Sequence, residues 1–149
     1  MSSPRSLFRG VAIAEAVTWG LLLTGMFLKY VTHTTELGVR VFGMVHGVVF
    51  IAFCLSAVLV AVDQRWSRGR TLLALLSSVP PFATLAFEAY VERRNATGPA
   101  WRLTTEEPRG RVESTTAWLL RNPVQGAVAG LVAVAALTGL ALLVGPLAG

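Results

Sequence analysis

The stretch from 42 to 53 contains the side chain whose chemistry most needs an explanation. His46 lies there between Gly43 and Gly47, in a run that is otherwise apolar and continues long enough to cross a bilayer. A histidine at membrane depth costs free energy unless it has a polar partner or a wet cavity. Lys29 and Glu88, in two other apolar runs, could supply an ion pair or an acid–base pair.

Helix rise allows the depths of these side chains to be compared. With alternating helices that rise about 1.5 Å per residue, Lys29 lies roughly 27 Å from the amino-terminal side, His46 roughly 22 Å and Glu88 roughly 24 Å. We therefore predict a polar cluster near one interface, formed by Lys29, Tyr30, His46 and Glu88. The alternative is that Lys29 and Glu88 extend to water without touching each other.

A second polar layer is predicted near the opposite interface. Glu15 lies about 6 Å from the amino-terminal side on the same scale, closer to Arg9 and Arg68. We favour a clamp between Glu15 and an arginine over a proton-carrying role. His33 and His46 have no carboxylate at close helical spacing, so no metal site is predicted. The residues indicate no particular cofactor.

Composition places these side chains in a membrane protein. Of the 149 residues, 54% are hydrophobic and only 14% are charged, and the mean hydropathy is +0.61. A soluble domain of this size could not bury so much apolar surface. The net charge of +5 comes from arginines at the ends of apolar runs and in one loop, which is typical of helix anchors and argues against a nucleic-acid partner.

The apolar runs predict an all-α membrane protein, a small bundle of four transmembrane helices. Residues 1–94 would form a three-helix core, 95–121 a polar extramembrane loop and 122–149 the fourth helix. The core helices are predicted at about 11–31, 41–62 and 71–91. The first run is too long for a secretory signal and carries Glu15, so we expect it to be retained.

Prolines and glycines predict local features of these helices. Pro80 and Pro81 predict a kink in the third helix, eased by the hydroxyls of Ser77 and Ser78. The pairs Gly43 with Gly47 and Gly126 with Gly130 predict close helix packing. The loop is expected to be partly disordered, with an interfacial helical turn near Trp118.

The arginines do not settle the orientation. With four crossing helices, the loop 64–70 and the long loop 95–121 lie on opposite sides of the membrane, yet both have arginines close to the membrane, so the positive-inside rule gives conflicting answers. We predict that both termini are cytoplasmic.

Several of these residues carry a resemblance to a known family. The matching pieces are Phe8-Arg9 leading to Glu15, Leu28-Lys29-Tyr30, the stretch from Gly43 to Phe50 around His46-Gly47, and the stretch from Ser78 to Thr84 followed by Glu88. Together they cover about residues 8–94. The chain resembles the small actinobacterial integral membrane proteins with a paired His-Gly motif, a domain of unknown function.

The chain departs from that family pattern at three positions, where it has Ala16, Phe27 and Ala83. The family resemblance implies a three-helix membrane core. It implies no activity, because none is assigned to the family.

Three functions remain open from the sequence. The first is a structural or accessory subunit that self-associates or joins a larger membrane complex in the lipid, suggested by the glycines and the charge-free last helix. The second is a proton- or ion-coupled transport component that uses Glu15, His46 and Glu88. The third is a membrane enzyme or lipid-binding protein with His46 and Glu88 as acid and base; enzyme activity is the less favoured expectation.

Overall fold

The structure, a computed structural model, describes residues 3–148, with side chains described to residue 144. Residues 1–2 and 149, which the predicted segments 1–94 and 122–149 include, lie outside the described residues. The helices are α1 (Pro4–Tyr30), α2 (Leu37–Asp63), α3 (Arg68–Leu76), α4 (Ala83–Arg93), α5 (Gly110–Arg121) and α6 (Pro123–Ala148), with a 3₁₀ turn at Arg102–Thr104. The predicted fold class is confirmed: the protein is a small helical membrane bundle.

Three of the described helices are long and apolar enough to cross a membrane, namely Pro4–Tyr30, Leu37–Asp63 and Pro123–Val144. Their starts follow local rules. Ser3 caps α1 by accepting a hydrogen bond from the Ser6 amide at 3.0 Å, and Pro4 occupies the first turn. Both α1 and α2 begin several residues before the predicted apolar runs, at Pro4 and Leu37, and end within one residue of the predicted ends.

The segment predicted as a third spanning helix is instead a re-entrant helical hairpin. The nine-residue α3 rises only about 14 Å, and the chain then turns at residues 77–82 and returns as α4. Arg70 at the start of α3 lies 5.8 Å from the ring centroid of Tyr90 near the end of α4. Two consecutive prolines remove two amide donors, so the helix ends there rather than merely bending.

This hairpin changes the path of the chain through the membrane. It enters and leaves at the end of the bundle where α1 begins and α2 ends, and we call this the basic end. Helix α6 then runs antiparallel to α2. Its earlier residues, 129–134, line a groove with the later residues 52–59 of α2, and its later residues, 138–142, line a groove with the earlier residues 39–51. The start of α1 and the end of α6 therefore lie at opposite ends, which differs from the predicted placement of both termini on one side.

An aromatic cluster holds the basic end of α1, α2 and the hairpin together. The ring of Phe8 lies 5.6 Å from Phe53, 5.5 Å from Trp66 and 5.8 Å from Phe87, measured between centroids. Such edge-to-face and tilted contacts each add about 0.5–1.5 kcal/mol to the burial of the rings. The indole of Trp66 also donates to the Ala96 carbonyl at 2.7 Å, which ties the following loop to the cluster.

The loop predicted to be partly disordered is an ordered cap on the basic end. The Asp63 carboxylate is fully buried and accepts hydrogen bonds from the backbone amides of Leu103 at 2.8 Å and Arg102 at 3.0 Å. Arg102 also donates from Nε to the Asp63 carbonyl at 2.6 Å, which satisfies an acceptor at the end of α2. The predicted helical turn near Trp118 is the complete helix α5.

At the opposite end, two glycines bring α1 and α2 into close contact. A Cβ added at Gly25 would lie 2.7 Å from the carbonyl carbon of Gly38. Only glycine fits at this crossing, because any side chain would force the two backbones apart.

Candidate functional site

A buried polar centre lies where α1, α2 and the hairpin meet. Glu15 is completely buried, and neither of its carboxyl oxygens has a hydrogen-bond partner among the described residues. The nearest cationic candidate is His46, whose Nε2 lies 3.7 Å from Glu15 Oε1. An isolated carboxylate in such a place would be costly, so the pairing with an imidazole accounts for its burial.

Two residues on the same face of α1 orient His46. The Thr18 hydroxyl lies 2.9 Å from His46 Nδ1 and also 2.9 Å from the Glu15 carbonyl oxygen, to which it donates. The Trp19 ring lies 4.6 Å from the imidazole, centroid to centroid, at an interplanar angle of 56°. Because Thr18 and Trp19 follow Glu15 by three and four residues, one helical face carries the whole set.

The re-entrant hairpin closes this centre from the other side. Trp19 Nε1 donates to the Ser78 carbonyl at 3.2 Å, and the Thr84 hydroxyl donates to the Ala12 carbonyl at 3.1 Å. Ser78 and Thr84 are both fully buried. Ala12 and Trp19 lie one turn before and one turn after Glu15, so the hairpin is attached to α1 on both sides of the carboxyl group.

The predicted polar cluster of four residues is not brought together. His46 joins Glu15, whereas Lys29 lies 4.9 Å from the neighbouring Tyr30 ring and both line an exposed surface with His33 and Glu36. Glu88 lies at the basic end, within electrostatic range of Arg9 and Glu92. The physical reason is the hairpin: the depth estimate used a helix that crosses, but α4 returns and takes Glu88 back toward the start of α1.

The predicted second layer is also divided. Glu15 pairs with His46 rather than with an arginine, because α1 begins at Pro4 and places Glu15 about 17 Å along the helix, near its middle. Arg9 lies closer to Glu88, and Arg68 is exposed at the start of α3.

The four glycines predicted to pack helices have different surroundings. An added Cβ at Gly126 would overlap the Leu119 carbonyl, so this glycine permits the tight junction between α5 and α6. An added Cβ at Gly43 would meet only Leu22 at 3.8 Å, and at Gly47 or Gly130 it would meet nothing within 4 Å. The close helix contact is instead made by Gly25 and Gly38.

Thr18, Trp19 and Thr84 were not among the site residues predicted from the sequence. A helical-face argument starting from Glu15 would have found Thr18 and Trp19, whereas no local signal links Thr84 to α1. The prolines predicted as a kink end the helix, and Ser77 and Ser78 donate to the carbonyls of Ala74 and Leu75, each at 2.6 Å.

The chemistry available at this centre is proton binding. Glu15 offers an acid and His46 a base, with the Thr18 hydroxyl beside His46 and the Thr84 side chain beside Glu15. Within residues 3–148, no three His, Cys, Asp or Glu side chains come together in a group that could hold a metal ion.

Comparison with known proteins places this centre in a family. Residues 5–93, which contain α2, the hairpin and all of α1 except its first residue, match the model of a domain of unknown function, DUF3817. The chain belongs to this family. The resemblance seen in the sequence is thereby confirmed, and the whole polar centre lies inside the DUF3817 domain, whereas α5 and α6 lie outside it.

A relative from Streptomyces coelicolor is 54% identical over 87 residues and is named "Putative membrane protein SCO5905". The match covers 58% of this chain and 10% of the relative, so the chain spans only a small part of that protein's length. No solved structure matches. With the apolar helices, these findings identify the DUF3817 chain as a membrane protein of unknown function.

Proposed function

We propose that this chain is an accessory module of a membrane assembly, which associates with a partner protein through the face that carries the hairpin turn. The observation that carries this proposal is the exposure of a non-helical segment at membrane depth. Val79, Pro80, Pro81 and Phe82 are all exposed, and Phe82 lies next to Gly20 near the middle of α1.

Contact with the hydrocarbon of the bilayer is energetically unfavourable for such a segment. Backbone groups in hydrocarbon need internal hydrogen bonds, and irregular backbone at membrane depth is tolerated only where protein covers it or water reaches it. Phe82 has a left-handed φ of 65°, and its amide donates no hydrogen bond within the described part of the chain. A partner that covers residues 79–82 would remove this cost.

The Streptomyces relative supports an accessory role from a different direction. There the homologous segment is about a tenth of a much longer chain. A domain that is fused into a longer membrane protein is suited to act beside other membrane segments. Here the partner would be a second copy or a separate membrane protein, while lipid covers the exposed apolar length of α6.

Photocrosslinking in native membranes, from a benzophenone attached to a single cysteine, tests this proposal. With Cys54 replaced by alanine, Val79→Cys on the hairpin is compared with Val128→Cys on α6; both valines are similarly exposed, at 61% and 55%. We expect a crosslinked species only for Val79→Cys, and mass spectrometry of that species then identifies a second copy or another protein. No crosslink at Val79, or equal crosslinking at Val128, would refute the proposed interface.

We further propose that the basic end faces the cytoplasm of the cell membrane. Of the 13 Lys and Arg residues, all except Lys29 and Arg40 lie in the half of the bundle that contains the basic end. Because the hairpin places the loop 64–70 and the long loop at the same end of the bundle, the arginines of both loops indicate the same orientation under the positive-inside rule. Labelling of single cysteines in intact cells tests this: Thr35→Cys should react with an impermeant maleimide, and Ser114→Cys should react only after lysis.

A proton-coupled transport component is the second candidate, and the buried pair of Glu15 and His46 favours it. Proton flux into liposomes that contain the protein should then fall to the background level in Glu15→Gln, with Glu107→Gln at an exposed loop position as the matched control. Equal flux in the wild type and both variants would remove this candidate and leave the accessory role untouched.

A further inference from the structure

We propose that Glu15 and His46 form an intramembrane proton-binding site that holds a single proton between Glu15 Oε1 and His46 Nε2. The proposal concerns the protonation state of the buried pair, and it depends neither on a partner at the hairpin nor on net transport.

Hydrogen bonding by Thr18 determines which imidazole nitrogen is already protonated. A hydroxyl group has only one hydrogen to donate. The Thr18 hydroxyl donates it to the Glu15 backbone carbonyl at 2.9 Å, the usual bond of a threonine within a helix. In the arrangement that we propose, the hydroxyl accepts at His46 Nδ1, also 2.9 Å away, and Nδ1 carries a hydrogen.

This assignment leaves Nε2 to interact with Glu15. With Nδ1 protonated, two states of the pair are possible. In one, Nε2 carries no hydrogen and accepts a hydrogen bond from a protonated Glu15 carboxyl group; in the other, Nε2 is protonated and donates to an ionised Glu15 carboxylate. Both descriptions place one proton between the same two atoms. The separation of 3.7 Å is longer than a hydrogen bond, so the shared proton requires a rotation about the broad terminal torsion of the Glu15 side chain.

Charge balance explains why the pair keeps one proton. With one shared proton the pair is neutral overall; with none it has a charge of −1, and with two a charge of +1. Either net charge is costly in a low-dielectric interior. The protons therefore belong to the pair as a unit rather than to either residue alone.

Among the side chains that the structure describes, no other charged group faces the pair from the elements packed around it. Helix α1 contributes Glu15, Thr18 and Trp19, and α2 contributes His46 and, farther along, the thiol of Cys54. The hairpin contributes the carbonyl of Ser78 and the hydroxyl of Thr84. Glu88 lies at the basic end, with Arg9. Helix α6 contains no ionisable side chain.

Nitrogen-15 NMR of histidine-labelled protein in lipid nanodiscs tests the proposal. The chain has only two histidines, and the exposed His33 is an internal comparison whose signal is assigned with His33→Gln. We expect His46 to keep Nδ1 protonated between about pH 5 and 8, the range in which imidazoles ordinarily titrate. Infrared spectra of wild type and Glu15→Gln report in parallel whether the Glu15 carboxyl is protonated.

The outcome is decided by the number of protons on the pair. Exactly one proton on Nε2 or the carboxyl, throughout that pH range, supports the proposal. An unprotonated Nδ1, or a pair with neither or both of Nε2 and the carboxyl protonated, overturns it. Thr18→Val is expected to abolish the preference for protonated Nδ1, with an unchanged His33 signal showing that the protein still folds; retention of that preference would refute the role of Thr18.

Discussion

The buried carboxylate of Asp63 offers the sharpest test of how the loop caps the basic end. Its two oxygens accept the backbone amides of Leu103 and Arg102 at 2.8 and 3.0 Å, and no part of the residue is exposed. Replacing Asp63 by alanine would leave two amides without their acceptor. Because hydrogen bonds to charged groups contribute roughly 1.5–3 kcal/mol each, we expect loop docking to weaken by about 3–5 kcal/mol.

Limited proteolysis in nanodiscs measures this loss directly. At about 1.4 kcal/mol per factor of ten, loop opening should become more frequent by roughly two to four orders of magnitude. Trypsin cleavage after Arg102, Arg109 and Arg111 should accelerate accordingly while the cleavage is limited by opening. Glu107→Ala is the matched control, since Glu107 is exposed in the same loop. Cleavage of Asp63→Ala at the rate of the control would show that the carboxylate does not hold the loop.

Two further predictions concern helix packing and pH. Gly25→Ala should destabilise the bundle by roughly 1–3 kcal/mol, because the added Cβ would meet the Gly38 backbone. Gly47→Ala, the control, should have little effect. Thermal unfolding in detergent compares the two variants, and an equal loss of stability in both would contradict the close contact between Gly25 and Gly38. The pKa of Glu113 lies below its ordinary value of 4.5, because the Arg109 amide donates to the carboxylate and Arg102 and Arg65 lie nearby. A carboxyl group whose pKa is lower in the folded loop stabilises the loop above its pKa in the unfolded chain, and this stability is lost as the pH falls through the pKa of the folded state. Protection of the loop amides from hydrogen exchange should therefore decrease below about pH 4.5 in the wild type and change less in Glu113→Gln.

The sequence by itself determined the membrane class and the elements that depend on local rules. Apolar runs long enough to span a bilayer predicted α1, α2 and α6, because lipid leaves the backbone few alternatives to a helix. The need of His46 for a polar partner followed from the same reasoning. Pro80 and Pro81 marked the position beyond which the preceding helix, α3, could not continue.

Only the tertiary structure decided what the interrupted segment does. A proline pair disrupts a helix equally well in a kinked crossing helix and in a hairpin, and the choice depends on distant contacts such as Thr84 with Ala12 and Phe87 with Phe8. That choice returned Glu88 to the basic end and left Glu15 as the partner of His46. Depth counted along single helices cannot reveal such a reversal, because it arises from packing between segments about 70 residues apart.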